Sequence, residues 1–223
     1  MTGNWQPHNS FALQASSSVT ISVRNLSKRF NREWIFKSFT EQFLPGQTYA
    51  ITGPNGSGKS TLLQVLWGQL PASEGELEYS NNAGTLPIEE IFRHVAIAAP
   101  YMDLIDEFTL QEHLEFHFKV KHTRNTMSVA EIMDRMKLGH ARHKYISNFS
   151  SGMRQRLRLA LAFYTQASLV FLDEPGTNLD KQAFDWYQTE LHSIPTGTTI
   201  FIASNQPAEY PDSARLIDIL KFK

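Results

Sequence analysis

Hydrophobic and polar positions alternate early in the chain: Val19, Ile21 and Val23 are separated by Thr20, Ser22 and Arg24. That is the pattern of a strand with one buried face. A second extended stretch is predicted over 34–43, closed by Pro45-Gly46, and a third over 47–52. The third runs directly into Gly53-Pro54-Asn55-Gly56-Ser57-Gly58-Lys59-Ser60-Thr61. Beyond this glycine-rich stretch the period changes. Leu62, Leu63, Val65, Leu66 and Trp67 recur at helical spacing until Gly68 and Pro71 stop them. Short strands are predicted over 76–79 and 94–98.

From 101 to 149 the pattern turns helical. Thr109 with Glu112, and Ser128 with Glu131, each fit a capping box, in which hydroxyl and carboxylate satisfy orphan amides at a helix start. Gly139 is the expected end of the second helix. Met102, Phe108, Phe116 and Phe118 are expected mostly to fill the core of this segment. A further helix is predicted over 152–165, then the apolar strand Leu169-Val170-Phe171-Leu172, a helix after Asp180 and a strand over 198–203. The expected fold is α/β, with residues 1–18 as a flexible polar lead-in. Residues 19–100 and 150–223 form the α/β core, and 101–149 an inserted helical subdomain.

Composition narrows the function classes. A chain of 223 residues with 41% hydrophobic and 19% charged residues can bury a full core. Lys+Arg 21 against Asp+Glu 22 leaves a net charge of −1, so no nucleic-acid partner is expected. No cysteine is present, which excludes disulfides and thiolate metal sites. No apolar run reaches the roughly eighteen residues of a membrane span. The polar start lacks the pattern of a secretory signal, and a cytoplasmic location is expected.

The glycine-rich stretch carries the main chemistry. Gly53, Gly58, Lys59 and Ser60 stand at P-loop spacing. Glycine lets the backbone curl until successive N–H groups point inward at a phosphate, a nest that bulkier residues obstruct. A helix starting near Gly58 adds its positive end to that anion site. In this arrangement Lys59 reaches the β/γ oxygens, Ser60 ligates Mg²⁺, and Thr61 contacts the α-phosphate. The bland alternative is a glycine-rich turn, but the strand before it and the helix after it are the context a P-loop needs. Asp173-Glu174 closes an apolar strand, and ligands of α/β sheets sit beyond such carboxyl ends. Asp173 suits a hold on Mg²⁺ and Glu174 the activation of an attacking water; read alone, they are as easily two solvated acids.

Phe149-Ser150-Ser151-Gly152-Met153 lies about twenty residues before Asp173. Together with the loop and the acidic strand end, it resembles the ATP-binding cassette (ABC) ATPases, whose signature reads Leu-Ser-Gly-Gly-Gln. Ser150 and Gly152 match; the other three positions differ. Without the other motifs, this stretch reads more simply as a Ser-capped basic helix bearing Arg154, Arg156 and Arg158. The resemblance covers nearly everything from Val19 onward, and Asn178-Leu179-Asp180 matches the family's D-loop. It implies a P-loop cassette fold: a mainly parallel core sheet, an antiparallel β edge and an inserted helical subdomain. It implies ATP and Mg²⁺ as cofactors. Phe30 would stack on adenine, and Gly53, Asn55, Gly56, Gly58, Lys59, Ser60 and Thr61 would hold the phosphates. Ser150 and Gly152 would cap the γ-phosphate bound to a second copy. Ser60 and Asp173 would hold the metal, with Glu174, Lys59 and Asn205 as the catalytic set.

The implied function is the ATP-hydrolysing subunit of an ABC transporter. It would work as a homodimer or heterodimer on a separate membrane-spanning subunit, at the cytoplasmic face of the membrane. Some of the apolar positions of 101–149, with Leu104 and Ile105, would then form a docking groove for that subunit. The alternatives are a soluble regulator or assembly ATPase, or a nucleotide-gated binding module with little turnover. Two departures bear on this choice. Tyr101 stands where the family has a Gln, and Asn205 where it has a His. Asn cannot carry a positive charge, and neutral Tyr is a poor Mg²⁺ ligand. Hydrolysis is therefore expected to be slow or partner-dependent. His113 and His117 stand four apart on a predicted helix but lack a third metal ligand; His140 and His143 are expected in solvent.

Overall fold

The computed structural model describes residues 18–223. The lead-in expected over 1–18 falls, but for residue 18, outside the described residues. The strand-rich start consists of β1 (Thr20–Phe30) and β2 (Glu33–Phe43), paired antiparallel as a hairpin. Next come β3 (Thr48–Thr52), α1 (Lys59–Leu66), β4 (Glu74–Asn81), β5 (Gly84–Leu86) and β6 (Val95–Ala98). The chain continues through α2 (Leu110–Val120), α3 (Val129–Arg135), α4 (Ser151–Tyr164), β7 (Leu169–Asp173), α5 (Lys181–His192), β8 (Thr199–Ala203) and β9 (Arg215–Asp218), with short 3₁₀ turns between. One sheet is antiparallel in the order β2-β1-β4-β5, and the other is parallel in the order β6-β7-β8-β3-β9.

Two cores meet across the parallel sheet. Leu169, Phe171, Phe201 and Ala203 face α1 and the antiparallel sheet, with Tyr49 and Ile51 beside them. Val170, Leu172, Ile200 and Ile202 face the opposite way, toward α4 and α5. Burial on both faces explains why these strands are written as unbroken apolar runs. At the centre of the first core Phe171 and Phe201 stack with centroids 4.6 Å apart and planes 7° from parallel. Phe43 meets Phe201 edge-on at 4.9 Å.

Both capping boxes form: Thr109 caps α2 with Glu112, and Ser128 caps α3 with Glu131. Leu110, Leu114, Ile132, Met133, Met136 and Ile146 pack into the core shared with α4. The arginines of α4 secure this segment: Arg154 pairs with Asp106 at 2.6 Å, while Arg156 and Arg158 donate to the carbonyls of Met136 and Met102.

Two expectations fail here. Gly139 does not end α3; Met136 caps it and Lys137 takes the left-handed turn at φ 55. Gly139 begins a separate 3₁₀ turn, where an added Cβ would stand 2.9 Å from Asp134 Oδ1. Nor do Met102, Phe108, Phe116 and Phe118 mostly fill that core: Met102 and Phe116 are exposed, and Phe108 and Phe118 are only partly buried, whereas Leu104 is buried. In α2 the inward face is Leu110, His113 and Leu114, and Phe116 lies about 200° around the helix from Leu114.

Because Phe201 is fully buried against three aromatic rings, Phe201→Ala should cost about 3–5 kcal/mol of unfolding free energy. Phe201→Leu should cost well under half of that, measured by urea denaturation.

Candidate phosphate-binding site

The register of the parallel sheet assembles the site. Ile51 of β3 is level with Ala203 of β8, and Ala203 with Asp173 of β7. Gly53, Asn205 and Glu174 follow within two residues, so they emerge at one edge. Ala98 of β6 is level with Leu172, which brings Tyr101 to that edge as well.

The loop at this edge is one only glycine allows. Gly53, Gly56 and Gly58 adopt φ 143, 76 and 100. A Cβ on Gly58 would stand 2.5 Å from Ile35 Cγ2, and one on Gly53 would stand 2.7 Å from Ser57 Oγ. Gly58 is the N-cap of α1 and supplies no side-chain cap, so the first-turn amides face outward. Lys59 is buried, and its ammonium donates to the carbonyls of Gly53 (3.0 Å) and Pro54 (3.2 Å). Ser60 and Thr61 follow in the first turn of α1, half-buried.

Asp173 is almost completely buried, and neither of its carboxylate oxygens has a hydrogen-bond partner. The hydroxyls of Ser60 and Tyr101 lie against it without reaching bonding geometry. Burial raises its pKa, and these two hydroxyls offset only part of that rise. Tyr101 is exposed at its ring while its hydroxyl lies against Asp173 and Gln64. Burial of that group, then the neighbouring charge, raise its pKa and keep the phenol neutral. Glu174 holds a left-handed φ of 45, uncommon for a residue with a Cβ, and its amide donates to the Ala203 carbonyl at 2.9 Å. Asn205 is exposed and donates to Asn55 Oδ1 at 3.4 Å, across the mouth of the loop.

Phe30 ends β1 on the hairpin whose Ile35 packs against Gly58. Its ring is 45% exposed, with the Lys28 ammonium 5.0 Å from the centroid. Ser150 and Gly152 are not part of this edge. They line a separate depression of about 510 Å³ with Asn178, Asp180 and Lys137, and no residue of the phosphate loop borders it. Ser150 is the N-cap of α4, its hydroxyl accepting from Met153 N at 3.2 Å. Gly152 lets the Asn178 carbonyl approach to 3.0 Å of where a Cβ would lie. The register therefore gathers Gly53, Asn55, Gly56, Gly58, Lys59, Ser60, Thr61, Asp173, Glu174 and Asn205, and leaves Ser150 and Gly152 facing elsewhere.

The histidine pair forms no metal site. His113 is buried, His117 contacts Thr165 Oγ1 at 2.9 Å, and burial lowers the His117 pKa to about 4. No group of three metal-ligating side chains occurs among the described residues. His140 and His143 are exposed. Sequence reading missed Gln64 and Glu209, both of which meet the site only through tertiary contacts.

Residues 36–177 match the sequence model of the ABC transporter family. The chain belongs to that family. Among its relatives, the uncharacterized ABC transporter ATP-binding protein YcbN of Bacillus subtilis is 26% identical over 90% of this chain and 66% of its own length. The sulfate/thiosulfate import ATP-binding protein CysA of Bradyrhizobium diazoefficiens is 31% identical over 84% of this chain and 57% of its own. The chain thus spans only about half to two thirds of the length of the curated relatives it matches. The fold is similar to that of the ATP-binding cassette MJ0796, a dimer in a post-hydrolysis state bound to ADP and Pi, with TM-score 0.70 and 21% identity over 83% of this chain and 88% of that one. This similarity makes the architecture a cassette: a parallel P-loop sheet with an antiparallel β edge.

A carboxylate whose folded pKa is raised costs stability above that raised value, and the cost vanishes below its ordinary pKa. Asp173→Asn should therefore stabilise the nucleotide-free protein at pH 7. The gain is roughly 1.4 kcal/mol for each unit of elevation, and it should shrink toward zero as pH falls through the carboxylate range. Urea titrations of both proteins at pH 7 and near pH 4 check this.

Proposed function

We propose that this chain is the ATP-binding and ATP-hydrolysing subunit of an ABC transporter, working as a nucleotide-sandwich dimer on a separate membrane-spanning subunit at the cytoplasmic face. The observation that carries this reading is the pairing of an uncapped helix start holding a buried lysine with a buried carboxylate that has no partner of its own. Such a carboxylate fits a hard divalent cation, and Ser60 and Asp173 would be the residues that hold Mg²⁺. A Mg²⁺ ion held by them would supply charge neutralisation for the phosphoryl group.

The remaining work falls to the chain itself. The amides of 53–61 and the end of α1 bind the triphosphate. Lys59 exchanges its bonds to the Gly53 and Pro54 carbonyls for phosphate oxygens. Glu174, directed by its left-handed backbone, orients and deprotonates the attacking water for in-line displacement. Asn205 donates a hydrogen bond toward the γ-phosphate but cannot shuttle a proton. Tyr101 contributes a neutral hydroxyl beside Asp173 where a stronger metal ligand would speed the reaction. These two substitutions favour turnover that is slow or tied to the partner.

Ser150 and Gly152 lie away from the loop of their own chain, and a second copy completes the site by presenting the start of α4 to it. Residues 101–149 form the lobe that meets the membrane subunit. Exposed Phe116 and half-buried Phe108 line a groove of about 250 Å³ there with Glu112, Glu115 and Lys119. No helix among the described residues is long and apolar enough to cross a membrane. The relatives named as import ATP-binding proteins support this reading over a free-standing regulator.

Glu174→Gln should lower steady-state ATP turnover by at least about a hundredfold while leaving ATP affinity nearly unchanged. Equal turnover by the variant and the wild type, measured with the membrane partner present, would mean that the chain binds ATP without hydrolysing it.

A further inference from the structure

Glu209 is a buried acid that takes no part in the proposed chemistry. It lies in a short 3₁₀ turn after β8, only 2% exposed, and its Oε2 has no hydrogen-bond partner. Burying a carboxylate in this way is costly unless other groups compensate. Three neighbouring groups converge on it. The Gly176 amide and the Ser204 hydroxyl lie against its carboxylate without reaching bonding geometry, and that hydroxyl donates to the Gln206 carbonyl at 3.4 Å. The Tyr187 hydroxyl of α5 donates to its backbone carbonyl at 2.5 Å.

The fit against Gly176 is close. A Cβ on Gly176 would stand 2.3 Å from Glu209 Oε1 and 3.0 Å from its Cδ, so the carboxylate occupies the space where any side chain would begin. Gly176 is two residues from Glu174, inside the turn in which Thr177 N donates to the Glu174 carbonyl at 3.1 Å. The Pro175 carbonyl of the same turn accepts from Gln155 Nε2 of α4 at 3.0 Å. Ser204 immediately precedes Asn205, and its hydroxyl accepts from Gln206 N at 2.9 Å. One carboxylate therefore touches both the turn after Glu174 and the segment that presents Asn205.

We propose that Glu209 is a positioning residue that fastens these two segments together, fixing Glu174 and Asn205 relative to one another across the site. The proposal rests on the hydrolytic reading of that site. Its carboxylate touches neither nucleotide nor metal; it acts through the Gly176 amide and the Ser204 hydroxyl. Left-handed φ values at Glu174 (45) and Asn178 (62) bracket the turn, so its conformation needs holding from outside. A polar acceptor of this length is the requirement, and a Gln carbonyl retains the acceptor without the charge.

The test compares the wild type, Glu209→Ala and Glu209→Gln in the full chain. Glu209→Ala should lower kcat by about tenfold to a hundredfold with KM for ATP within about twofold, because a misplacement of about 1 Å costs that much in an oriented site. Glu209→Gln should recover kcat to within about threefold. Hydrogen exchange at the Gly176 amide should speed up at least about tenfold in Glu209→Ala and not in Glu209→Gln. Unchanged exchange at Gly176, unchanged kcat in Glu209→Ala, or a parallel loss of ATP affinity and kcat would each overturn the proposal. If the wild type itself hydrolyses no ATP, the hydrolytic reading fails, and the exchange measurement still decides whether Glu209 holds the turn.

Discussion

A buried ammonium has to be met by oxygen. In this protein Lys59 is met by two carbonyls of the loop that precedes it, Gly53 and Pro54. That contact is possible only because three glycines allow the backbone to turn back on itself without a side chain in the way. The loop in turn depends on its surroundings. Ile35 of the hairpin closes over Gly58, and Ile219 lies where a Cβ on Gly53 would begin. The lysine's resting partners are weak acceptors compared with phosphate, so the cradle is built in advance and only its occupants need change.

The parallel sheet makes a second contribution, which is levelling. Ile51, Ala203 and Asp173 sit side by side, so groups from strands far apart in sequence arrive at one edge with no further adjustment. On one side of that edge the first turn of α1 offers free amides; on the other Asp173 offers a carboxylate without partners. Positive and negative poles thus face the same space. The start of α4 lines a different depression, which no residue of the phosphate loop borders.

Much of this was legible in the sequence where the determining contacts are local. Strand, glycine loop and helix follow one another within about twenty residues, and the two capping boxes are three-residue patterns that formed as read. The apolar run ending in Asp173-Glu174 reads as a strand, and that strand forms as β7. What escaped was set by neighbours distant in sequence. β5 is three residues long and β9 buries only Ile217 well, so neither carries an alternation strong enough to see. The aromatic character of Phe116 suggests a core residue, but helical spacing turns it away from Leu114. Lys137 took the left-handed position after α3 that glycine usually fills. Glu209 meets Gly176 across a gap in sequence that no pattern spans. Tyr101 departs from the family pattern in sequence, but its closeness to Asp173 is set by the strand register.

The central claim is that the amides of 53–61 and Lys59 together hold the triphosphate of ATP. Calorimetric titration of ATP with Mg²⁺ into the full chain and into Lys59→Ala addresses it directly. The account predicts saturable one-site binding by the wild type and at least about a tenfold weaker affinity in the variant, since charge-assisted hydrogen bonds contribute roughly 1.5–3 kcal/mol. No binding by the wild type, or equal affinity in both proteins, would contradict it.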